Sequence, residues 1–171
     1  MRTMLDTVGD PRSVFSGLEV QAVAAYANGR YANYEKARAE FPHVPILEID
    51  VSGQGIGNAG DFERGDMAYS HAGEWAKRRI QAGVHRPVIY FSVSNWQAIE
   101  QSLQATGLHR SDVRVWTAHY TGKPHLCSVE CGFGHKEGDH ADATQWASAG
   151  TLPPPYEHRN VDVSMTAGDF F

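Results

Sequence analysis

Short runs of β-branched, aromatic and small apolar residues recur along the chain, separated by glycine-bearing polar segments or by stretches whose apolar positions repeat as on one face of a helix. The runs Arg2 to Asp6, Val20 to Tyr26, Ile46 to Val51, Asn58 to Phe62, Pro87 to Phe91, Val113 to His119, Ala143 to Trp146 and Arg159 to Val163 read as strands. Helical spacing predicts helices over Tyr34 to Glu40, Tyr69 to Ala82 and Ser94 to Thr106. In the middle one, Ala72, Trp75, Ala76, Arg79 and Ile80 share a face and Gly83 closes the helix. The last begins after Ser94 as an N-cap and ends before Gly107.

Eight strands with interspersed helices predict an α/β fold, a compact, helix-poor (β/α)8-like (TIM-type) barrel. Such barrels usually take about 250 residues, so in a chain of 171 several helices are reduced to loops. The stretch from Ile46 to Phe62 leaves little room for a helix between the third and fourth strands. An open α/β sheet is the alternative that periodicity leaves standing. No repeat and no change of composition divides the chain, so residues 1–171 are expected to form one domain, with Pro153-Pro154-Pro155 a stiff local connector.

Composition narrows the class of function. Hydrophobic content of 42% with 11% aromatic residues supports a packed core. The net charge of −5 is spread along the chain without a lysine or arginine block, which disfavours nucleic acid and anionic membranes as partners. No apolar run approaches the roughly 20 residues of a bilayer span, and Met1 to Asp6 lacks an apolar signal core. A soluble monomer without a signal peptide of its own is expected, and action outside a cell requires release by a separate route.

The segment Asn58-Ala59-Gly60-Asp61-Phe62-Glu63-Arg64-Gly65-Asp66 carries the first chemical signal. Side chains two apart on a strand share a face, so Asp61 and Glu63 lie together while Phe62 turns away. Adjacent carboxylates repel as anions, which raises one pKa until that group stays protonated and can protonate a leaving oxygen. Glycoside hydrolysis divides the labour between two carboxyl groups in this way. In a barrel of parallel strands, functional groups collect at the C-terminal strand ends. Those ends bring Asp6, Tyr26, Asp61, Glu63, Tyr90, Phe91, Trp116 to Tyr120, Gln145, Trp146 and Asp162 to one rim. Aromatic faces pack on sugar rings and acids bind hydroxyls, so the rim has the chemistry of a carbohydrate site.

Each residue also has a plainer reading. Asp61 can be a turn residue and Glu63 a partner of Arg64; Asp6 and Asp162 can cap turns. Trp116 and Trp146 can belong to the core, and Gln145 can satisfy backbone groups between strands.

Taken in order, Asp6 after the first strand, Asp61 and Glu63, Tyr90 in Val88-Ile89-Tyr90-Phe91, Trp116-Thr117-Ala118-His119-Tyr120, Gln145-Trp146 and Val161-Asp162-Val163-Ser164 resemble the stations of glycoside hydrolase family 25 lysozymes. Gly29-Arg30-Tyr31, Asp61 to Asp66 and Ala82-Gly83 are similar to short actinobacterial and actinophage proteins of that type. Met4-Leu5-Asp6-Thr7 departs from the family's Gly-x-Asp-x-Ser opening in lacking the glycine and the serine. The resemblance implies a muramidase that cuts the β-1,4 bond between N-acetylmuramic acid and N-acetylglucosamine in peptidoglycan glycan strands. It implies Glu63 as general acid, Asp61 and Asp162 as groups that stabilise charge or position the N-acetyl group or water, and Asp6 as a group that orients the others. It implies Tyr26, Tyr90, Trp116, His119, Tyr120, Gln145 and Trp146 as substrate-binding residues, and no cofactor. A barrel that binds cell-wall glycan without cutting it is the alternative.

The remaining constellation is His125-Leu126-Cys127-Ser128-Val129-Glu130-Cys131, with His135 beyond it and His119 and His140 nearby. Cys127, Cys131, His125 and His135 form a candidate zinc set that would pin a long loop and stabilise an interaction domain. A local disulfide and two free thiols are the alternatives.

Overall fold

The computed structural model describes residues 1–171. Eight strands, β1 (Arg2–Asp6), β2 (Ala22–Tyr26), β3 (Ile46–Asp50), β4 (Ala59–Asp61), β5 (Val88–Ser92), β6 (Arg114–Ala118), β7 (Ala143–Ala147) and β8 (Asp162–Thr166), close into a barrel in sequence order. Four helices lie outside it: α1 (Pro11–Val14), α2 (Tyr34–Glu40), α3 (Ala72–Gln81) and α4 (Trp96–Ala105). No helix is long and apolar enough to cross a membrane.

The barrel is mixed rather than all-parallel. Strands β1 to β7 run parallel to their neighbours, whereas β8 is antiparallel to both β7 and β1. A parallel return needs a crossover, usually helical, and the proline-rich segment between β7 and β8 forms none. This corrects the expected placement of Asp162. It opens β8 instead of ending it, yet because the strand is reversed it still meets the end of β1, with Asp6 and Asp162 as register partners. The strand also lies three residues later than the run Arg159 to Val163 suggests, because Arg159 is spent on the loop after α1, donating from Nη1 to the carbonyls of Val14 (2.7 Å) and Ser16 (2.9 Å).

Helix boundaries shift for local reasons. The predicted Tyr69 to Ala82 helix opens with a 3-10 turn, Tyr69–His71, before α3. Ser94 does not cap α4; it sits inside the 3-10 turn Val93–Asn95 with its hydroxyl 3.1 Å from that of Ser92. Helix α1 lies outside the predicted set, although Asp10 caps it by accepting from the Arg12 N–H at 3.0 Å and Pro11 supplies its first position.

Between β3 and β4 there is no helix, as the compressed spacing predicts. Buried Asp50 organises that connection, its carboxylate accepting from Asn28 Nδ2 (2.8 Å), the N–H groups of Ser52, Gly53 and Gly55, and Trp75 Nε1 (2.9 Å). Gly57 has φ of 67°, and a Cβ there would come within 2.5 Å of the Glu48 carbonyl oxygen, so the sharp return needs glycine.

Alternation along each strand separates the core into an inside and an outside. Met4, Ala22, Ala24, Ala59, Ala118 and Ala143 face inward, and these mostly small side chains make room for Tyr90 and Trp116, whose rings lie 4.3 Å apart, and for Phe170 at the far end. Outside, Phe62, Ile89, Phe91 and Val115 pack under α3 and α4, with Phe62 edge-on to Trp75 at 5.9 Å. Leu5, Val23, Ala25 and Val163 pack with Phe15, Ala37 and Trp146 on the opposite flank.

Candidate active site at the barrel rim

The strand arrangement carries four carboxyl groups to one end of the barrel. Asp6 ends β1 beside Asp162, Asp61 ends β4 in register with Tyr90, and Glu63 follows two residues after Asp61. Phe62 separates the two acids in sequence and anchors them: its N–H donates to the Tyr90 carbonyl at 2.9 Å while its ring is buried outside the barrel. Strand β4 ends at Asp61, so Glu63 lies past it in a bend, beyond the alternation on which the i, i+2 reading rests; its carboxyl is nonetheless near the Tyr90 hydroxyl and Asp162.

Electrostatics shows how close the group is. Burial holds the Asp6 carboxyl well above the ordinary aspartate range, and the charges of Asp162, Asp61 and Glu63 push it further. Burial also raises Asp61 strongly, with Glu63 and then Asp66 adding repulsion and the Glu63 backbone N–H pulling back. Glu63, only half-buried, is raised by burial, then by Asp66 and Asp162, while the Tyr90 hydroxyl opposes the rise. Asp162 is raised by burial, against hydrogen bonds from Ser148 and Gln145. One oxygen each of Asp6 and Asp61 is buried without a protein partner, which costs about 1–3 kcal/mol apiece unless the group is protonated or bound.

Three tyrosines and a glutamine complete the rim. The buried Tyr90 hydroxyl donates to Gln145 Oε1 at 2.6 Å, and Gln145 in turn bonds Asp162, so one chain of contacts links β5, β7 and β8. Tyr26 is half-buried among the acids; burial raises it first, then the charges of Asp6, Asp61, Asp162 and Glu63. Tyr120 is 47% exposed, and burial of its hydroxyl with the nearby acids pushes it up to about 12 despite a bond with Tyr90. A cavity of about 610 Å³ opens between the connection after β3 and helix α3, lined among others by Val51, Asp66, Met67, His71 and Arg78; none of the four acids lines it.

Other expected site residues lie elsewhere. Trp116 is 1% exposed inside the barrel, its Nε1 donating to Ser164 Oγ at 3.0 Å, and Trp146 is 5% exposed in the outer packing with Val161 and Val163. Both are core residues, because a strand side chain that fills the barrel or its outer layer has no surface left for a ligand. Phe91 likewise stacks outside on Trp96, ring centres 6.1 Å apart. The His119 ring is held by His125, Nδ1 to Nε2 at 3.0 Å. His135 falls outside the expected zinc set: its Nε2 bonds the Glu100 carboxylate at 2.8 Å on the surface. Cys127 and Cys131 are not joined in a disulfide.

Asn33 is a positioning residue that the sequence pattern leaves unmarked. Buried at the start of α2, it accepts from the Tyr26 N–H (2.9 Å) and donates from Nδ2 to the carbonyls of Thr7 (2.7 Å) and Gly9 (3.0 Å). It thereby ties the end of β2 to the residue after Asp6.

No family model matches the chain, and no curated protein does. Among solved structures, an uncharacterized B. stearothermophilus protein known at 1.07 Å aligns over 98% of this chain and 97% of its own with a TM-score of 0.58 at 9% identity. That likeness is one of fold alone.

Proposed function

We propose that the chain is a peptidoglycan-cleaving glycosidase of lysozyme type, with Glu63 as the proton donor. The observation that carries this reading is a half-buried carboxyl, raised by burial and by Asp162, set among three further acids at the mouth of a barrel. A glycosidic oxygen leaves readily only if it is protonated as the bond breaks, and a glutamate with a raised pKa can do that at a higher pH than an ordinary one. Asp162 and Asp61 then offset positive charge developing on the sugar ring, or hold the N-acetyl group or water. Asp6, the deepest of the four, sets the charge of its neighbours. Tyr26 and Tyr120 supply polar and aromatic contacts, while buried Gln145 acts from behind them by accepting from the Tyr90 hydroxyl. On this reading the barrel is a shortened relative of the (β/α)8 type, and the resemblance to family 25 lysozymes reflects common chemistry. The protein acts as a monomer on glycan strands of the bacterial wall, after release by a separate route.

Glu63→Gln is expected to reduce release of reducing sugars from purified cell walls by about 10²–10⁴-fold with the fold intact by circular dichroism. Retention of full activity by that variant rejects the assignment. In the wild type, activity is expected to persist above the pH at which an ordinary glutamate deprotonates, and to fall as pH rises through the raised pKa of Glu63.

Half-buried Tyr26 and exposed Tyr120, set near the acids, also suit hydroxyl binding without cleavage. A non-catalytic glycan-binding barrel would be retained on insoluble peptidoglycan while releasing no reducing ends.

A further inference from the structure

From the side chains gathered beside β6, we infer a structural zinc site formed by His119, His125, Cys127 and Cys131. One ligand atom from each lies within 4.8 Å of all the others. An ideal tetrahedral zinc with two sulfur and two nitrogen ligands has ligand–ligand edges of roughly 3.3–3.8 Å. His119 Nδ1 and His125 Nε2 stand 3.0 Å apart, and Cys127 Sγ is 3.8 Å from the same His125 nitrogen. The four donors lie within reach of a single ion, and closing on it requires shifts of tenths of an ångström to about one.

The surroundings fit a ligand set better than a chance cluster. His125 Nδ1 faces the Lys123 carbonyl oxygen at 2.9 Å, which can only accept, so that nitrogen carries the proton. Its Nε2 is thereby left with a lone pair pointing at His119 and Cys127, the tautomer in which a histidine ligates a metal while its other ring nitrogen is held by a backbone carbonyl. Cys127 is fully buried and its N–H donates to Thr144 Oγ1 on β7 at 2.8 Å, fixing the deepest ligand to the barrel wall. The Cys131 N–H donates to the Ser128 carbonyl at 2.9 Å within the 3-10 turn Val129–Cys131, and Gly132, with φ of 84°, reverses the chain after it.

Two thiolates and two imidazoles in a closed tetrahedron select zinc over magnesium or calcium, which prefer oxygen donors. With every position taken by protein, the ion is structural and has no place for a reacting water. Its role is to pin the helix-free connection between β6 and β7, which otherwise has one short 3-10 turn and a single bridge between Ser128 and His140. His119 directly precedes Tyr120, so the clamp also fixes the rim tyrosine. This inference does not depend on the glycosidase reading.

The test uses the full-length chain without an affinity tag, purified under reductant and incubated with zinc, then desalted. Elemental analysis is expected to find about one zinc per chain, and cobalt loading to give the intense visible bands and thiolate charge transfer of tetrahedral coordination. A chelator is expected to lower the melting temperature by an amount on the order of 10 °C. Cys131→Ser and His119→Gln, at two half-buried positions, are each expected to lose the ion, while His135→Gln keeps it. Less than about 0.2 zinc per chain in the wild type with both thiols reduced, a six-coordinate cobalt spectrum, or full zinc content in Cys131→Ser each overturns the site.

Discussion

Asn33 stands where an N-cap is expected, yet its side chain leaves α2 uncapped and reaches back to β2 and to the loop after β1. Three hydrogen bonds depend on it, one buried and two part-buried, so Asn33→Ala is expected to cost about 2–3 kcal/mol by chemical denaturation. Because those bonds hold Tyr26 and the residue after Asp6, activity should fall even at temperatures where the variant is fully folded. Asn33→Asp, which keeps the acceptor and loses the donors, should fall between the two. Single residues were legible in the sequence only where position determines direction. Asp61 was readable because it ends a strand whose alternation fixes its direction, whereas Glu63 lies past the strand, where alternation no longer sets it. Trp116 and Trp146 were not, since a tryptophan at a strand end serves core and cleft equally well in one dimension. His119 lies just past the end of β6, and its ring direction depends on His125, six residues away on a loop without periodicity.

At the scale of elements, the crossing of α3 and α4 is set by one glycine. Gly73 lies against α4, where a Cβ would run into the Ser102 carbonyl oxygen and come within 2.6 Å of Thr106 Oγ1. The Gly73 N–H also donates to Ser102 Oγ at 3.0 Å, which donates on to the Ser70 carbonyl at 2.8 Å. Gly73→Ala is therefore expected to destabilise the chain by about 1–3 kcal/mol, although alanine is the better helix former, and the measured change in unfolding free energy checks the sign. Strands were easier to read than helices because eight short apolar runs stand between glycine and proline punctuation. The direction of β8 was not readable from its own residues, since alternation looks the same either way along a strand. The helix-free, proline-rich connection before it was the available signal.

For the whole molecule, two sets of buried carboxylates respond to pH with opposite signs. The rim acids have folded pKa values raised above the ordinary range, which is about 3.9 for aspartate and 4.3 for glutamate. In the window between those values and the raised ones the folded chain holds protons that the unfolded chain has lost, so stability falls as pH rises through it. Asp50 behaves the other way. Burial alone would raise it, but bonds from Asn28, Trp75 and the loop N–H groups outweigh burial and hold it below the ordinary range. Its contribution is present above about pH 3.9 and is lost as pH falls toward its folded pKa. Asp6→Asn removes a buried carboxyl that folding must keep protonated and is expected to raise the melting temperature by about 3–6 °C at neutral pH, the equivalent of about one to two kcal/mol in a chain of this size. The gain should shrink as pH falls toward and below about 3.9, where the unfolded chain takes up the same proton. A gain that stays constant with pH would assign it to packing instead of charge.

The reversal of β8 has a consequence for how the molecule can be held. Arg2 and Thr166 are register partners at the end of the barrel away from the acids, and the neighbouring Phe170 is tucked into the barrel interior while Met1 and Phe171 reach solvent. Both ends of the polypeptide thus emerge together from the base. A leash attached to either one would anchor the molecule from behind and leave its acidic mouth turned toward whatever lies in front.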